Sequence, residues 1–230
     1  MNEHIPRHIS FVLDGNRRWA RSSNLSTLEG HLRGLDAVFN IIQWSQDVGV
    51  EYLTTYAFST ENWNRTSEEL GYLFGMVFEQ GLKRYLPTLI KNNVRVNLFG
   101  QLERFPQGMR VGVEDMLRKT AQNTGLVWNL CLDYGGRAEI VRAIKRLVIA
   151  GVPVEEIDEQ TVADQLYSAN MPDPDLMIRT GGEQRLSNFL LWQHAYTEFY
   201  YPEVGLPGFT RQDFDAALQW YARRDRRFGK

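Results

Sequence analysis

Four short segments of this chain concentrate arginine, glycine and small polar side chains: Asp14-Gly15-Asn16-Arg17-Arg18-Trp19, Ser59-Thr60-Glu61-Asn62-Trp63-Asn64-Arg65, Asp133-Tyr134-Gly135-Gly136-Arg137, and the run Arg179 to Asn188. Arginine forks match phosphate oxygens two at a time, and glycines let backbone amides come close to an anion. A carboxylate among such cations suits magnesium, which takes one or two carboxylates and completes its shell with phosphate oxygens and water. Asp14 is the candidate for that carboxylate. Taken singly, each segment reads as a turn, a loop or a solvated charge pair; in combination they point to a metal-assisted diphosphate site. Neither Gly-x4-Gly-Lys-Ser/Thr nor Gly-x-Gly-x-x-Gly occurs, so the P-loop and dinucleotide readings lack their fingerprints.

The rest of the chain must bring these segments together. The apolar run Ile9 to Leu13 stops at Asp14-Gly15-Asn16 and reads as a buried strand ended by a turn. From about Glu29 to Val48, Leu32, Leu35, Val38, Phe39 and Ile42 recur at helical spacing, with Gly49 placed to close the helix. Tyr52 to Phe58 is β-branched and aromatic, and Thr66 or Ser67 ahead of Glu68-Glu69 starts a helix running to Lys91. The pattern continues as strand Arg95 to Phe99, helix Pro106 to Gln122, strand Val127 to Leu132 and helix Ala138 to Ile149. A shorter helix from Glu159 to Ser168, strand Leu176 to Ile178 and helix Arg211 to about Arg224 complete it. Such alternation predicts an α/β fold: a single domain over residues 1–230, with a largely parallel central sheet of about six strands flanked by helices. Sites in these sheets form beyond the C-terminal strand ends, where all of the polar segments fall.

The chain has 230 residues, 43% of them hydrophobic, enough for a substantial core. Its formal net charge of -2 leaves no global basic field, which argues against nucleic acid as a partner and requires any anion site to be local. The polar start and the lack of an apolar run near the roughly 20 residues that span a bilayer predict a cytoplasmic protein. The single cysteine, Cys131, lies between Leu130 and Leu132 and reads as core.

The polar segments resemble the cis-prenyltransferase (undecaprenyl diphosphate synthase) family. The resemblance runs from about His8 to Gly229 and rests on His8–Trp19, Tyr56–Arg65, Leu130–Arg137, Asp173–Tyr201 and Arg226–Gly229, in the family's order. Asp175-Leu-Met-Ile-Arg-Thr-Gly-Gly-Glu, with Arg185-Leu-Ser-Asn-Phe-Leu-Leu-Trp-Gln, is its most specific part. It implies an enzyme that joins isopentenyl diphosphate to an allylic diphosphate, with farnesyl diphosphate the leading candidate, and with Mg2+ as cofactor. On the resemblance, Asp14 holds the metal against the allylic diphosphate, among Gly15, Asn16, Arg17, Arg18, Trp19, His31 and Arg65. Ser59 and Asn62 then stand near the reacting carbons, with Asp14 and Asn62 as the catalytic pair. Arg179, Arg185 and Ser187 match the clamp on isopentenyl diphosphate, Glu198 a second metal-associated residue, and Phe58, Trp63 and Trp128 the hydrocarbon tunnel.

The implied chemistry is ionisation of the allylic diphosphate, attack by the isopentenyl double bond and loss of a proton to Asp14, a phosphate oxygen or a bound water. No adjacent Asp-Asp pair occurs, which separates the chain from the all-helical trans-prenyltransferases. It departs from the family pattern in carrying Arg17 for a glycine, Thr27 for an arginine, and Trp128 on the strand face that forms the deep end of the tunnel. Arg17 is expected to replace part of the charge missing at Thr27. The leading product is undecaprenyl diphosphate, the lipid carrier of peptidoglycan synthesis; a shorter (Z)-prenyl diphosphate is the alternative. A non-catalytic partner subunit would have lost Asp14 and the diphosphate arginines. The resemblance also implies a homodimer, with Arg227-Phe228-Gly229 contributing across the interface, and at most peripheral membrane contact for product release.

Overall fold

In the computed structural model, which describes residues 5–225, the first apolar run becomes β1 (His8–Val12), buried at every position. It pairs in parallel with β2 (Tyr52–Ser59) on one side and β5 (Leu176–Arg179) on the other. With β3 (Arg95–Gly100), β4 (Val127–Tyr134) and β6 (Glu198–Tyr200), the sheet has six parallel strands in the order β3-β4-β2-β1-β5-β6. Strands buried on both faces become unbroken apolar runs, which is why β1, β4 and β5 are legible in the sequence. The short β6 has no such run, because it is half-buried at the sheet edge.

The helices are α1 (Asn16–Ser22), α2 (Thr27–Asp47), α3 (Ser67–Tyr72), α4 (Gln80–Lys91), α5 (Gln107–Thr120), α6 (Gly136–Ile149), α7 (Glu159–Ala163) and α8 (Arg211–Tyr221). Three expectations are corrected. The Asn16–Ser22 stretch is a helix rather than a loop, started by Gly15 in the left-handed region. The segment from Glu159 towards Ser168 is helical only to Ala163. The Ser67–Lys91 helix is not uniform: Leu73–Glu79 is a π-helical stretch between α3 and α4. Wide turns of that kind cluster at functional sites, and here Leu73, Val77 and Phe78 face a cavity.

Side chains alternate across the sheet. Ile9, Phe11, Leu130 and Leu132 join the larger core, with residues of α2, α5 and α8. Val12, Tyr56, Phe99 and Cys131 join the smaller one, with Tyr134, Phe189 and Leu190. Cys131 is fully buried, as expected. On one side of β1 the sheet extends through β2, β4 and β3, with β4 inserted between its two predecessors in the chain, and the chain then crosses to place β5 on the other flank of β1. The connections leaving β1 and β5 therefore diverge, and a crevice opens between their C-terminal ends.

Candidate active site

Asp14 and Arg179 meet in that crevice. Arg179 Nη2 donates to Asp14 Oδ2 at 2.9 Å, while its Nη1 donates to Ser187 Oγ at 2.8 Å and to the Arg185 carbonyl at 2.5 Å. The Arg179 side chain is only 4% exposed, whereas Asp14 is one-third exposed at the cavity mouth. The turn is rigid. Thr180 Oγ1 accepts from the Asp14 amide and donates to the Asp14 carbonyl, and the Gly15 amide donates to Asp14 Oδ1 at 2.7 Å. Gly15 has φ +95°, and a Cβ there would stand 2.6 Å from the Gly205 backbone, so no side chain fits at that bend.

Two cavities share this mouth. The larger, about 630 Å³, is polar at the rim, where Asp14, Asn16, His31, Ser59, Asn62 and Arg65 lie, together with Arg179 and Ser187 on the far side. Deeper in, it is walled by α2, the π-helical stretch and the sheet, through Val38, Phe39, Phe58, Phe78, Trp128 and Leu130. Register shifts in β2 between Tyr56 and Ser59 form a bulge at this wall; bulges re-aim side chains next to sites. The smaller cavity, about 300 Å³, is lined by Arg17, Arg18, Arg21, Arg65 and His31 around the Asp14–Asn16 backbone. Glu69 lies between two of these cations, 3.0 Å from Arg65 Nη1 and 3.8 Å from Arg17 Nη1.

His31 sits where both cavities meet, on α2. Its Nδ1 donates to the Thr27 carbonyl at 2.9 Å, which leaves Nε2 as the lone-pair nitrogen in the neutral ring. Burial, with the Arg65 and Arg17 guanidiniums adding to it, holds its pKa down to about 4.

Most of the residues named from sequence therefore converge. Four do not stand among the cavity-lining residues. Trp19 packs instead beside Gly205 and Gly208. Trp63 lies in an aromatic cluster with Phe58, Phe74 and Phe105, its Nε1 donating to Asp133 Oδ1 at 2.8 Å, so it supports the Phe58 wall and is not itself the wall. The Arg185 guanidinium is exposed and paired with Glu183 at 2.5 Å; only its carbonyl reaches Arg179.

Glu198 stands furthest from the expected position. It pairs across the sheet with Leu176, which is level with Ile9, whereas Arg179 is level with Val12 at the cavity end. That difference is roughly 10 Å of strand rise, and Glu198 is bonded to Arg224 at 3.1 Å. Among the described residues no group of three or more His, Cys, Asp or Glu side chains gathers as a metal site. Of the two carboxylates, Asp14 alone reaches the cavity. The C-terminal segment Arg226–Gly229 lies outside the described residues.

Sequence reading missed Arg21, Glu61 and Asn188, which line the cavities. Arg21 was findable: it stands three and four residues after Arg18 and Arg17, the spacing of one helix face, but that stretch reads as a loop. Chemically, this arrangement can hold a diphosphate at the mouth and an apolar chain in the depth, with a carboxylate free to share a divalent cation with phosphate oxygens.

Residues 12–229 match the protein family described as "Putative undecaprenyl diphosphate synthase". The chain is 46% identical over 226 residues to an isoprenyl transferase of Neisseria gonorrhoeae, covering 98% of this chain and 90% of that protein. Its fold superposes on lavandulyl diphosphate synthase from Lavandula x intermedia, solved with dimethylallyl diphosphate, with a TM-score of 0.95, 34% identity and full coverage of both chains. A probable undecaprenyl diphosphate synthase from Campylobacter jejuni superposes with a TM-score of 0.82 and 33% identity, again over 100% of each chain.

Proposed function

The chain belongs to the undecaprenyl diphosphate synthase family of cis-prenyltransferases, and from that premise we propose that it extends farnesyl diphosphate by successive additions of isopentenyl diphosphate, each forming a Z double bond. The observation that carries this reading is the continuity of a cationic, carboxylate-bearing mouth with an apolar cavity of about 630 Å³. A phosphate-binding module would need the first and not the second.

In this reading Gly15, Asn16, Arg17, Arg18, His31 and Arg65 receive the allylic diphosphate, and Arg179 and Ser187 receive isopentenyl diphosphate. Asn62 and Ser59 stand between them at the mouth. Asp14 fits a magnesium site: it lines the cavity, one of its oxygens accepts from Gly15 N and the other from Arg179 Nη2, with Arg18 Nη2 3.9 Å away, and each has further acceptor capacity. Magnesium, when bound, supplies charge that stabilises the departing diphosphate. Arg179 then orients the Asp14 carboxylate, and the apolar wall holds the two reacting carbons away from water. A non-catalytic partner-subunit reading finds no support, since Asp14, Arg179, Arg185 and Ser187 are all present.

Binding of the allylic diphosphate should draw a proton onto His31. The free ring is neutral at pH 7, with a pKa near 4, and Nε2 can donate to a phosphate oxygen only when protonated. The affinity is therefore expected to rise as pH falls from 8 towards 6, with net proton uptake. Calorimetric titration with a non-reacting thiodiphosphate analogue, in buffers of different ionisation enthalpy, measures this uptake; His31→Gln should remove it.

Undecaprenyl diphosphate is the product the family description suggests. A specific observation favours a second, shorter product. An apolar cavity of about 150 Å³ holds one benzene, so the larger cavity, about 630 Å³, holds roughly 25 carbons on that scale. Trp128 lines it, fixed by a 2.9 Å bond from Nε1 to Thr55 Oγ1 and by edge contact with Phe39, and in this reading it closes the deep end. Trp128→Ala is expected to lengthen the dominant product by roughly one isoprene unit, the room freed by a large-to-small change of this order. Incubation with labelled isopentenyl diphosphate, magnesium and dimethylallyl, geranyl or farnesyl diphosphate, with chain length and bond geometry read after dephosphorylation, tests the whole reading. C55 products with new Z bonds support the undecaprenyl assignment, shorter Z products the second reading, and no incorporation refutes both.

We further infer a cytoplasmic homodimer with at most peripheral membrane contact. Val141, Ile144 and Val148 form an exposed row on α6, which a second copy would cover. No helix among the described residues is long and apolar enough to cross a membrane.

A further inference from the structure

Condensation requires two substrates held by two loops to meet. The end of β2 and the segment after it carry Ser59, Asn62 and Arg65, and the segment after β5 carries Ser187, yet β2 and β5 lie on opposite sides of β1. Asn188 bridges them. Its Nδ2 donates to Glu61 Oε1 at 2.9 Å, its Oδ1 accepts from the Arg137 amide at 2.9 Å, and its carbonyl accepts from the Gly136 amide at 2.7 Å. Glu61 and Asn188 both line the larger cavity, beside Asn62 and Ser187. The junction has no slack: a Cβ on Gly135 would lie 2.7 Å from Asn188 Nδ2 and 2.8 Å from Thr60 Oγ1.

The backbone here is strained. Ser187, Asn188 and Leu190 have φ of 51°, 66° and 43°, a region that non-glycine residues occupy when their surroundings over-determine it. Asparagine tolerates that conformation and offers a donor and an acceptor on one amide. An aspartate would keep the acceptor for Arg137 and lose the donor to Glu61.

Resting on the proposed function, we propose that Asn188 is a positioning residue that ties the isopentenyl subsite to the allylic subsite through Glu61, so that occupancy of one raises affinity for the other. Coupling between sites of this kind is typically about 5- to 150-fold.

The test is calorimetric affinity for isopentenyl diphosphate, with and without the non-reacting farnesyl thiodiphosphate, alongside thermal melts. Wild type is expected to bind at least about fivefold more tightly with the analogue present, at the low end of that range. In N188D, which sets two carboxylates together, and in E61A, which removes an exposed acceptor without touching the core, the ratio falls to about one. The reversed pair E61Q/N188D restores it, because the amide introduced at position 61 can donate to the carboxylate introduced at position 188. A wild-type ratio of one, unchanged ratios in N188D and E61A, or failure of the reversed pair to recover coupling while melting like wild type overturns the proposal. Wild-type protein that makes no Z-prenyl product in the assay above overturns the functional reading instead.

Discussion

Asp14→Asn is expected to lower turnover about a thousandfold and to leave the fold in place. Among the described residues the Asp14 carboxylate is the one acidic group that lines both cavities, where the proposed reading places the phosphate oxygens. Asparagine keeps an acceptor for Arg179, so the buried guanidinium is not left bare, but it removes the charge that a divalent cation requires. Metal-derived charge stabilisation amounts to several kcal/mol in such transition states, and each 1.36 kcal/mol is tenfold in rate; about 4 kcal/mol gives the expected loss. Single-turnover kinetics across a magnesium titration, with circular dichroism melts, measures both parts. A variant that turns over within tenfold of wild type would falsify the metal role. Asp14→Ala should melt lower than Asp14→Asn, because it strips the partner from an arginine that is 4% exposed.

Acid should unfold this protein well before its carboxylates are protonated. His8 is fully enclosed: Nδ1 donates to the Pro172 carbonyl at 2.7 Å, so Nε2 accepts from Thr54 Oγ1 at 2.7 Å, and Asn129 Nδ2 donates to the same hydroxyl. The neutral ring is satisfied, and a second proton would force the Thr54 hydroxyl to turn its hydrogen away from Nε2. Burial lowers its pKa to about 4, outweighing Pro172 and Asp175. His194 is held to about 3 by burial and then by the His8 imidazole, with Ser10 Oγ 3.0 Å from its Nε2.

The sign follows from proton counts. Both imidazoles titrate near 6.5 when unfolded, so the unfolded chain binds more protons below that pH. The neutral rings contribute full stability above about pH 6.5, and that contribution is lost as pH falls towards 4. At about 1.4 kcal/mol per pH unit for each ring, the pair removes on the order of 4 kcal/mol between pH 6.5 and 5. That is a large share of the roughly 5–15 kcal/mol of a typical domain. His31 adds less, since it opens onto the cavity. Urea unfolding at pH 7.5 and pH 5 measures the difference. Equal stability at the two values would show that the buried pair is protonated in the folded state.

What could be read from the sequence was whatever leaves a local trace. Buried parallel strands become apolar runs, amphipathic helices recur at 3.6 residues, and strand ends that carry arginine, glycine and aspartate stand out against both. Hence β1, β2, β4 and β5, the α/β class and the convergence of Asp14, Asn62, Arg65, Arg179 and Ser187 were legible from residue order alone. The resemblance added roles for those positions.

The tertiary structure decided what depends on partners far away in the chain. Trp63 reads as a wall residue, but Asp133, seventy residues on, turns its indole into the cluster behind Phe58. Glu198 stands in a matching motif, yet strand register puts it near the Ile9 end of the sheet and Arg224 takes its carboxylate. Asn188 has no periodicity or charge to announce it; its importance comes from Glu61 and Arg137, brought to it by the crossover that sets β5 on the far flank of β1. Composition and period record which face a residue shows to the core. They do not record which distant group completes its hydrogen bonds, and at this site that pairing separates a lining residue from a supporting one.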